Sequence, residues 1–170
     1  MITEKKKKNS VVGEIIEIKD KTELNHMKNS FRLQVGDSLR IVDGEYEYFT
    51  EIIELSKNEM ICKIIEKKED SFSTKVEIHA GIGLLKNDKM ELVIQKLVEV
   101  GVSKIIPVQM QRTIVKINEK KEKWDTIAKE ALKQCQAVKL TEITEPKALK
   151  KIDYSEYDIV LVPYENEVEV

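Results

Sequence analysis

The sequence predicts an α+β unit followed by an α/β unit: a small β-barrel or curled sheet over residues 1–73, then a largely parallel sheet with helices over residues 74–170. Three observations carry this. Before residue 73 the apolar residues fall in short β-branched runs of period two. After it, such runs alternate with segments whose apolar period is about 3.6. Between the two, residues 66–73 are polar and aperiodic, as a linker between independently packed units is.

In the first unit, residues 11–18, 38–42, 46–55 and 59–65 are the expected strands. Asp43-Gly44 is the strongest turn among them, because glycine tolerates the positive φ that a tight hairpin needs. One short helical segment is expected around residues 24–30. Sandwiches usually need more strands than this, which favours a barrel or curled sheet. In the second unit, residues 76–83 read as a strand. Met90, Val93, Ile94, Leu97 and Val98 then recur at helical spacing, with Asn87 and Asp88 available as N-caps and Gly101 as the terminating residue. Residues 104–110 are the next strand. Trp124, Ile127, Ala128, Ala131, Leu132 and Cys135 form the apolar stripe of a second helix. Residues 140–143 and 158–163 complete the strand set.

Strand and helix in alternation imply right-handed crossovers and a parallel sheet, with the ligand crevice beyond the carboxyl ends of the strands. The last expected strand, around Ile159 to Val162, is apolar on both faces, and such a strand is buried by helices on both sides. The expectation is therefore that the protein continues past Val170.

Composition narrows the class without naming it. The 170 residues are 41% apolar and 35% charged, and no apolar run is long enough to cross a bilayer. With 6 glycines and 3 prolines the chain is not low-complexity. Lysine and arginine number 29 against 31 acids, a formal charge of −2, so no global field gathers a polyanion and nucleic-acid contact must be local. Cys62 and Cys135 lie far apart, with no Cys-x-x-Cys or Cys/His cluster, and the start does not read as a signal peptide. These features predict a reduced, cytoplasmic, metal-free protein with no membrane partner, both cysteines serving as packing residues.

Two blocks of residues resemble a known family. His26-Met27-Lys28-Asn29-Ser30-Phe31-Arg32-Leu33-Gln34-Val35-Gly36-Asp37 is similar to the His-x-x-Asn-x-x-Arg-Leu-x-x-Gly-Asp signature of the bacterial 16S ribosomal RNA uridine-N3 methyltransferases, of the knotted SPOUT class. The second block runs through Gly83-Leu84-Leu85-Lys86-Asn87-Asp88-Lys89-Met90, Gln95-Lys96-Leu97-Val98-Glu99-Val100-Gly101-Val102, Ile105-Ile106-Pro107-Val108 and Arg112-Thr113-Ile114-Val115-Lys116. Trp124 and Lys129-Glu130-Ala131-Leu132-Lys133-Gln134 continue it. The resemblance spans residues 11–165, and the two blocks together are specific.

The resemblance implies a PUA-like N-terminal barrel that holds RNA and a SPOUT α/β-knot domain that binds S-adenosylmethionine and works as a homodimer on 16S ribosomal RNA or the small ribosomal subunit. There are departures. The family's early arginine and aromatic pair is missing, since no arginine precedes Arg32. Gln134-Cys135-Gln136-Ala137 stands where the family has Gln-Ser-Gly-Arg. The glycine-rich loop of the donor knot is expected beyond Val170, so no cofactor-binding residue is assigned within this chain, and the fold is expected to be truncated before the knot.

Methyl transfer to uridine N3 requires in-line alignment of donor and acceptor, and loss of the N3 proton. Cations that stabilise the uridine anion serve the second need. Arg112 is the one catalytic candidate, and no residue marks itself as the base. Lys86 and Lys89 follow the first parallel strand, and Arg112 and Lys116 follow the next one on the same side, so four cations from two loops outline an anion site. Arg32 is read as an RNA contact through its planar fork, the alternative being a surface arginine paired with an acid.

His26, Lys28 and Asn29 share that signature and are carried with it as RNA-binding candidates, although a histidine in this position is more often a cap or packing residue. Lys96 and Glu99, three apart, read as an ion pair on one helix face, and with Gln95 belong to structure or to a dimer interface. The run Lys5-Lys6-Lys7-Lys8 is either a basic arm or a solvated tail. Three classes of function fit these residues: an RNA methyltransferase, a non-catalytic RNA-binding module, and a dimerising structural domain.

Overall fold

The computed structural model describes residues 2–3 (backbone only), 9–70, 73–86, 88–112 and 114–163; the Lys5–Lys8 run and the candidate cap Asn87 lie outside them. Two separate sheets organise the chain. The first has the order β1-β3-β4-β5-β2, from β1 (Ile2–Thr3), β2 (Ile15–Ile18), β3 (Ser38–Val42), β4 (Tyr46–Leu55) and β5 (Met60–Glu69), with α1 (Lys21–Asn29) between β2 and β3. Its pairs are antiparallel except β1 with β3. The hairpin at Asp43-Gly44 forms as expected, with Gly44 at φ 100°. Register shifts in β4 at Phe49/Thr50 and Ile52/Glu54 are irregularities of the kind that bend a strand. One face of the sheet and α1 close over Ile18, Leu24, Met27, Ile41, Tyr48, Ile52, Met60 and Ile64, all nearly fully buried.

α1 begins three residues earlier than its apolar pattern suggests. The Asp20 carboxylate accepts the backbone N–H groups of Thr22 and Glu23 at 2.8 and 3.0 Å, satisfying donors that the first turn leaves free. β2 is shorter than the expected 11–18, because Gly13 turns the chain at φ 91°. β5 is longer, extending through Glu69 into the expected linker. Residues 66–69 pair with Tyr46–Phe49 of β4, and Lys67 and Lys68 lie 3.7 and 4.6 Å from the ring centres of Tyr46 and Phe49, so a charged run that looks like a linker is held as a strand by its neighbour.

The second sheet is parallel, with order β6-β7-β8 and β9 also on β7, from β6 (His79–Gly83), β7 (Lys104–Gln109), β8 (Glu142–Ile143) and β9 (Lys147–Ala148). β8 and β9 lie along the same edge of β7 with Pro146, which has no N–H to donate, between them. α2 (Asp88–Glu99) and α3 (Glu122–Cys135) pack together, and Met90, Ile94, Val98, Trp124, Ala128, Ala131 and Leu132 form the core against Ile105 and Ile143. Gly101 ends α2 at φ 83°, its N–H donating to Val98 O.

Two expectations fail in this unit. Cys135, at the last turn of α3, is exposed rather than packed, since the buried residues of that helix end at Leu132; Cys62 is buried, and both thiols are free. Residues 158–163 form no strand. Ile159, Leu161 and Val162 are 75%, 84% and 81% exposed, since no strand pairs with this segment and no helix among the described residues covers it. Just before it, the Tyr157 hydroxyl lies 3.1 Å from His79 Nδ1 at the start of β6, after the short 3-10 helix Leu149–Lys151.

The two units touch through named contacts. Arg40 of β3 donates from Nη2 to the Gln136 carbonyl at 2.9 Å and from Nε to Glu47 of β4 at 2.7 Å, and Lys133 of α3 pairs with Glu23 of α1. Glu47 is 4% exposed and pairs there with Arg40, so removing the arginine would leave a buried carboxylate without that partner.

Candidate nucleic-acid interface

The candidate residues fall into two clusters. The first lies at the carboxyl ends of β6 and β7, where an open parallel sheet places its crevice. A groove of about 750 Å³ there is lined by Gly83, Leu84, Leu85, Lys86, Asp88, Lys89, Met110, Arg112, Ile114 and Val115. The chain leaves β6 at Gly83, whose backbone passes close to Met110, and Leu84 donates its N–H to Val108 O, which sets the first loop against the second. Lys86, Lys89 and Arg112 are exposed and share this groove; Lys116 is exposed but is not part of its lining.

None of these four cations has a carboxylate within ion-pair distance among the described residues. Lys19, Lys68, Lys96, Lys104, Lys120, Lys123, Lys133 and Lys139 all do. Three unneutralised cations over an apolar floor suit an anion that also carries an apolar surface, as a nucleotide does. A sulfonium methyl donor is itself a cation, and Asp88 is the only carboxylate in the lining among the described residues. The described lining therefore does not fit the donor.

The second cluster ends α1. Ser30 donates its N–H to His26 O and Leu33 its N–H to Met27 O, while Arg32 takes φ 52°, a left-handed turn that costs a non-glycine residue about 1 kcal/mol or more. The turn returns Leu33 to the core edge and leaves Phe31 and Arg32 outside. No acid pairs with Arg32 among the described residues. His26 is exposed and stands perpendicular to Phe31, ring centres 5.2 Å apart, so it packs an aromatic rather than capping the helix. Asn29 is exposed at the last helical residue. Lys28 is half-buried, and its ammonium donates to the Ser56 carbonyl in the β4–β5 turn, which ties α1 to the sheet.

Gln95, Lys96 and Glu99 behave as a structural set. Lys96 Nζ lies 2.8 Å from Glu99, Gln95 Nε2 donates to the same carboxylate at 2.9 Å, and these two bonds hold the Glu99 carboxyl below its ordinary range. Sequence reasoning passed over Phe31 as a surface residue and the apolar floor of Met110 and Ile114, because an exposed apolar side chain has no signature until its neighbours are placed. Among the described residues no group of three or more His, Cys, Asp and Glu side chains is arranged to hold a metal, and no helix is long and apolar enough to cross a membrane.

A family described as an RNA methyltransferase domain matches residues 72–170, and one described as an RNA methyltransferase PUA domain matches residues 18–65. The chain belongs to the RNA methyltransferase family. Within that family it is 29% identical over 151 residues to the ribosomal RNA small subunit methyltransferase E of Bacillus subtilis, covering 84% of this chain and 59% of that one. It is 33% identical over 133 residues to the ribosomal RNA small subunit methyltransferase E 2 of Borreliella burgdorferi, covering 74% and 54%. A Legionella pneumophila structure assigned as a methyltransferase, in complex with bound SAM, superposes with a TM-score of 0.72 at 26% identity over 84% of this chain and 61% of that one. The chain thus spans about three fifths of the length of these relatives. The antiparallel sheet followed by a parallel sheet is the architecture that this methyltransferase family shares.

Proposed function

We propose that the protein takes part in methylating small-subunit ribosomal RNA at N3 of a uridine, with S-adenosylmethionine as methyl donor. The observation that carries the reading is the groove at the carboxyl ends of β6 and β7, where Lys86, Lys89 and Arg112 converge over an apolar floor with no acid partner among the described residues. Family membership and the names of the relatives support the reaction class.

In this reading the N-terminal unit, residues 1–73, engages RNA through Arg32 and the end of α1, and residues 74–170 hold the target strand. Lys86 and Lys89 neutralise its phosphates. Arg112 stabilises the charge that develops on the uracil oxygens as the N3 proton leaves, which lowers the cost of forming the nucleophilic anion. Lys116 adds to the field from outside the groove. The donor is held by residues other than those lining this groove.

A homodimer belongs to the same proposal, formed through the outer face of α2 and α3, where Leu92 is 55% exposed beside Gln95, Ile127 and Ala131. Sedimentation of the complete gene product tests it, and a monomer at all concentrations would remove it. Methylation is tested with the same product, labelled S-adenosylmethionine and small subunits lacking the modification. Label at uridine N3 is expected; label elsewhere, or none, overturns the reaction.

A further inference from the structure

We propose that Phe31, with His26 and Arg32, is a stacking platform for one unpaired RNA base, so that the N-terminal unit selects single-stranded over duplex RNA. The proposal rests on the RNA-binding reading above and adds what form of RNA that unit takes. Phe31 is 64% exposed, although Met27 and Leu33 on either side of it pack into or against the core. Leaving a large aromatic ring in water forgoes the stabilisation its burial would bring. The left-handed turn at Arg32 keeps it there.

The ring is nonetheless oriented. His26 packs against it at 88°, and the His26 Nδ1 lies 3.3 Å from Ser30 Oγ, which fixes the imidazole. Perpendicular packing means that His26 covers at most one face of the phenyl ring and leaves the other open. The next residue, Arg32, is exposed and has no acid partner among the described residues. A flat open π surface with an exposed cation on the adjoining residue suits base stacking with a phosphate contact, and stacking is independent of base identity. A duplex cannot use it, because its bases are stacked on one another and offer only their edges.

The test uses the full chain with a single-stranded RNA carrying one 2-aminopurine and a duplex of the same length, titrated by anisotropy and by 2-aminopurine fluorescence. The parent should prefer the single strand and quench the fluorophore. Phe31→Ala should weaken single-strand binding on the order of tenfold and abolish the quench, with duplex binding and thermal unfolding unchanged. Phe31→Trp should restore both, and Phe31→Leu neither.

Parent-like binding by Phe31→Ala, equal weakening toward both RNA forms, or full rescue by Phe31→Leu each overturns the platform. If the parent shows the salt-dependent binding of phosphate contacts while Phe31→Ala is unaffected, only the platform falls. If the parent binds neither form, the RNA-binding reading falls with it.

Discussion

Asp43 sits at the turn between β3 and β4 and accepts hydrogen bonds from the Glu45 and Tyr46 amides at 3.0 and 2.9 Å, from the Asn9 amide at 3.2 Å and from the Tyr48 hydroxyl at 2.6 Å. Burial alone would raise its pKa, but these bonds together outweigh burial and hold the carboxyl below its ordinary 3.8. Tyr48 moves the other way: burial first, then the bond to Asp43, raise its hydroxyl above the ordinary 10.0. A raised folded-state value contributes stability that is complete below about pH 10 and is lost as pH rises beyond it. A depressed carboxylate contributes stability above about pH 4 that is lost on further acidification. Tyr48→Phe is expected to cost about 2 kcal/mol at neutral pH, by loss of a hydrogen bond to a charged group. Urea unfolding should show the gap to the parent narrowing above pH 10.

Gln136 offers a prediction of opposite sign. It caps α3 at φ 58°, where the resembling motif has glycine, so Gln136→Gly should raise stability by about 1 kcal/mol in the same assay. The bond from Arg40 survives, because it goes to the backbone carbonyl.

Among the elements, β3 and β4 formed over the residues that the period-two pattern marks, and α2 and α3 over the stripes of period 3.6. What the pattern left out was the back of β3. Leu39 and Ile41 point into the first core, while Arg40, on the opposite face, joins Glu47 to the end of α3. Arg40→Ala strands a carboxylate that is 4% exposed and should destabilise by about 3 kcal/mol. Arg40→Met combined with Glu47→Leu should recover most of that loss, since neither charge is then left alone. Thermal unfolding of the single and double variants distinguishes a buried pair from a surface one, for which both changes would be within about 1 kcal/mol of the parent.

At the scale of the molecule, the division into residues 1–73 and 74–170 predicts that limited proteolysis cuts first between residues 69 and 73, after β5 ends and before β6 begins. First cleavage within either sheet would contradict it. The two clusters should also separate by function. Arg32→Ala is expected to weaken RNA binding and reduce the salt slope by about one for each phosphate contact removed. Arg112→Ala in the complete gene product should lower turnover more than RNA affinity, as an interaction that strengthens in the transition state does. Variants that bind and methylate like the parent would make both arginines ordinary surface residues.

The sequence by itself determined what depends on nearest neighbours along the chain: the Asp43-Gly44 turn, the stripes of α2 and α3, the stop at Gly101, the Lys96–Glu99 pair, and two motif blocks that point to an RNA methyltransferase. Only the tertiary structure decided what depends on partners distant in sequence. β5 extends because β4 pairs with its charged end, and Lys28 is drawn to the Ser56 carbonyl while Arg32 has no acid partner among the described residues. Residues 158–163, apolar enough for a buried strand, stay exposed for want of a pairing strand and a covering helix among the described residues. Lys86, Lys89 and Arg112 become one groove and Lys116 does not line it, because the ends of β6 and β7 set where each loop starts. Hydrogen bonding and burial are satisfied by whatever the fold brings into reach, and that geometry is absent from local periodicity.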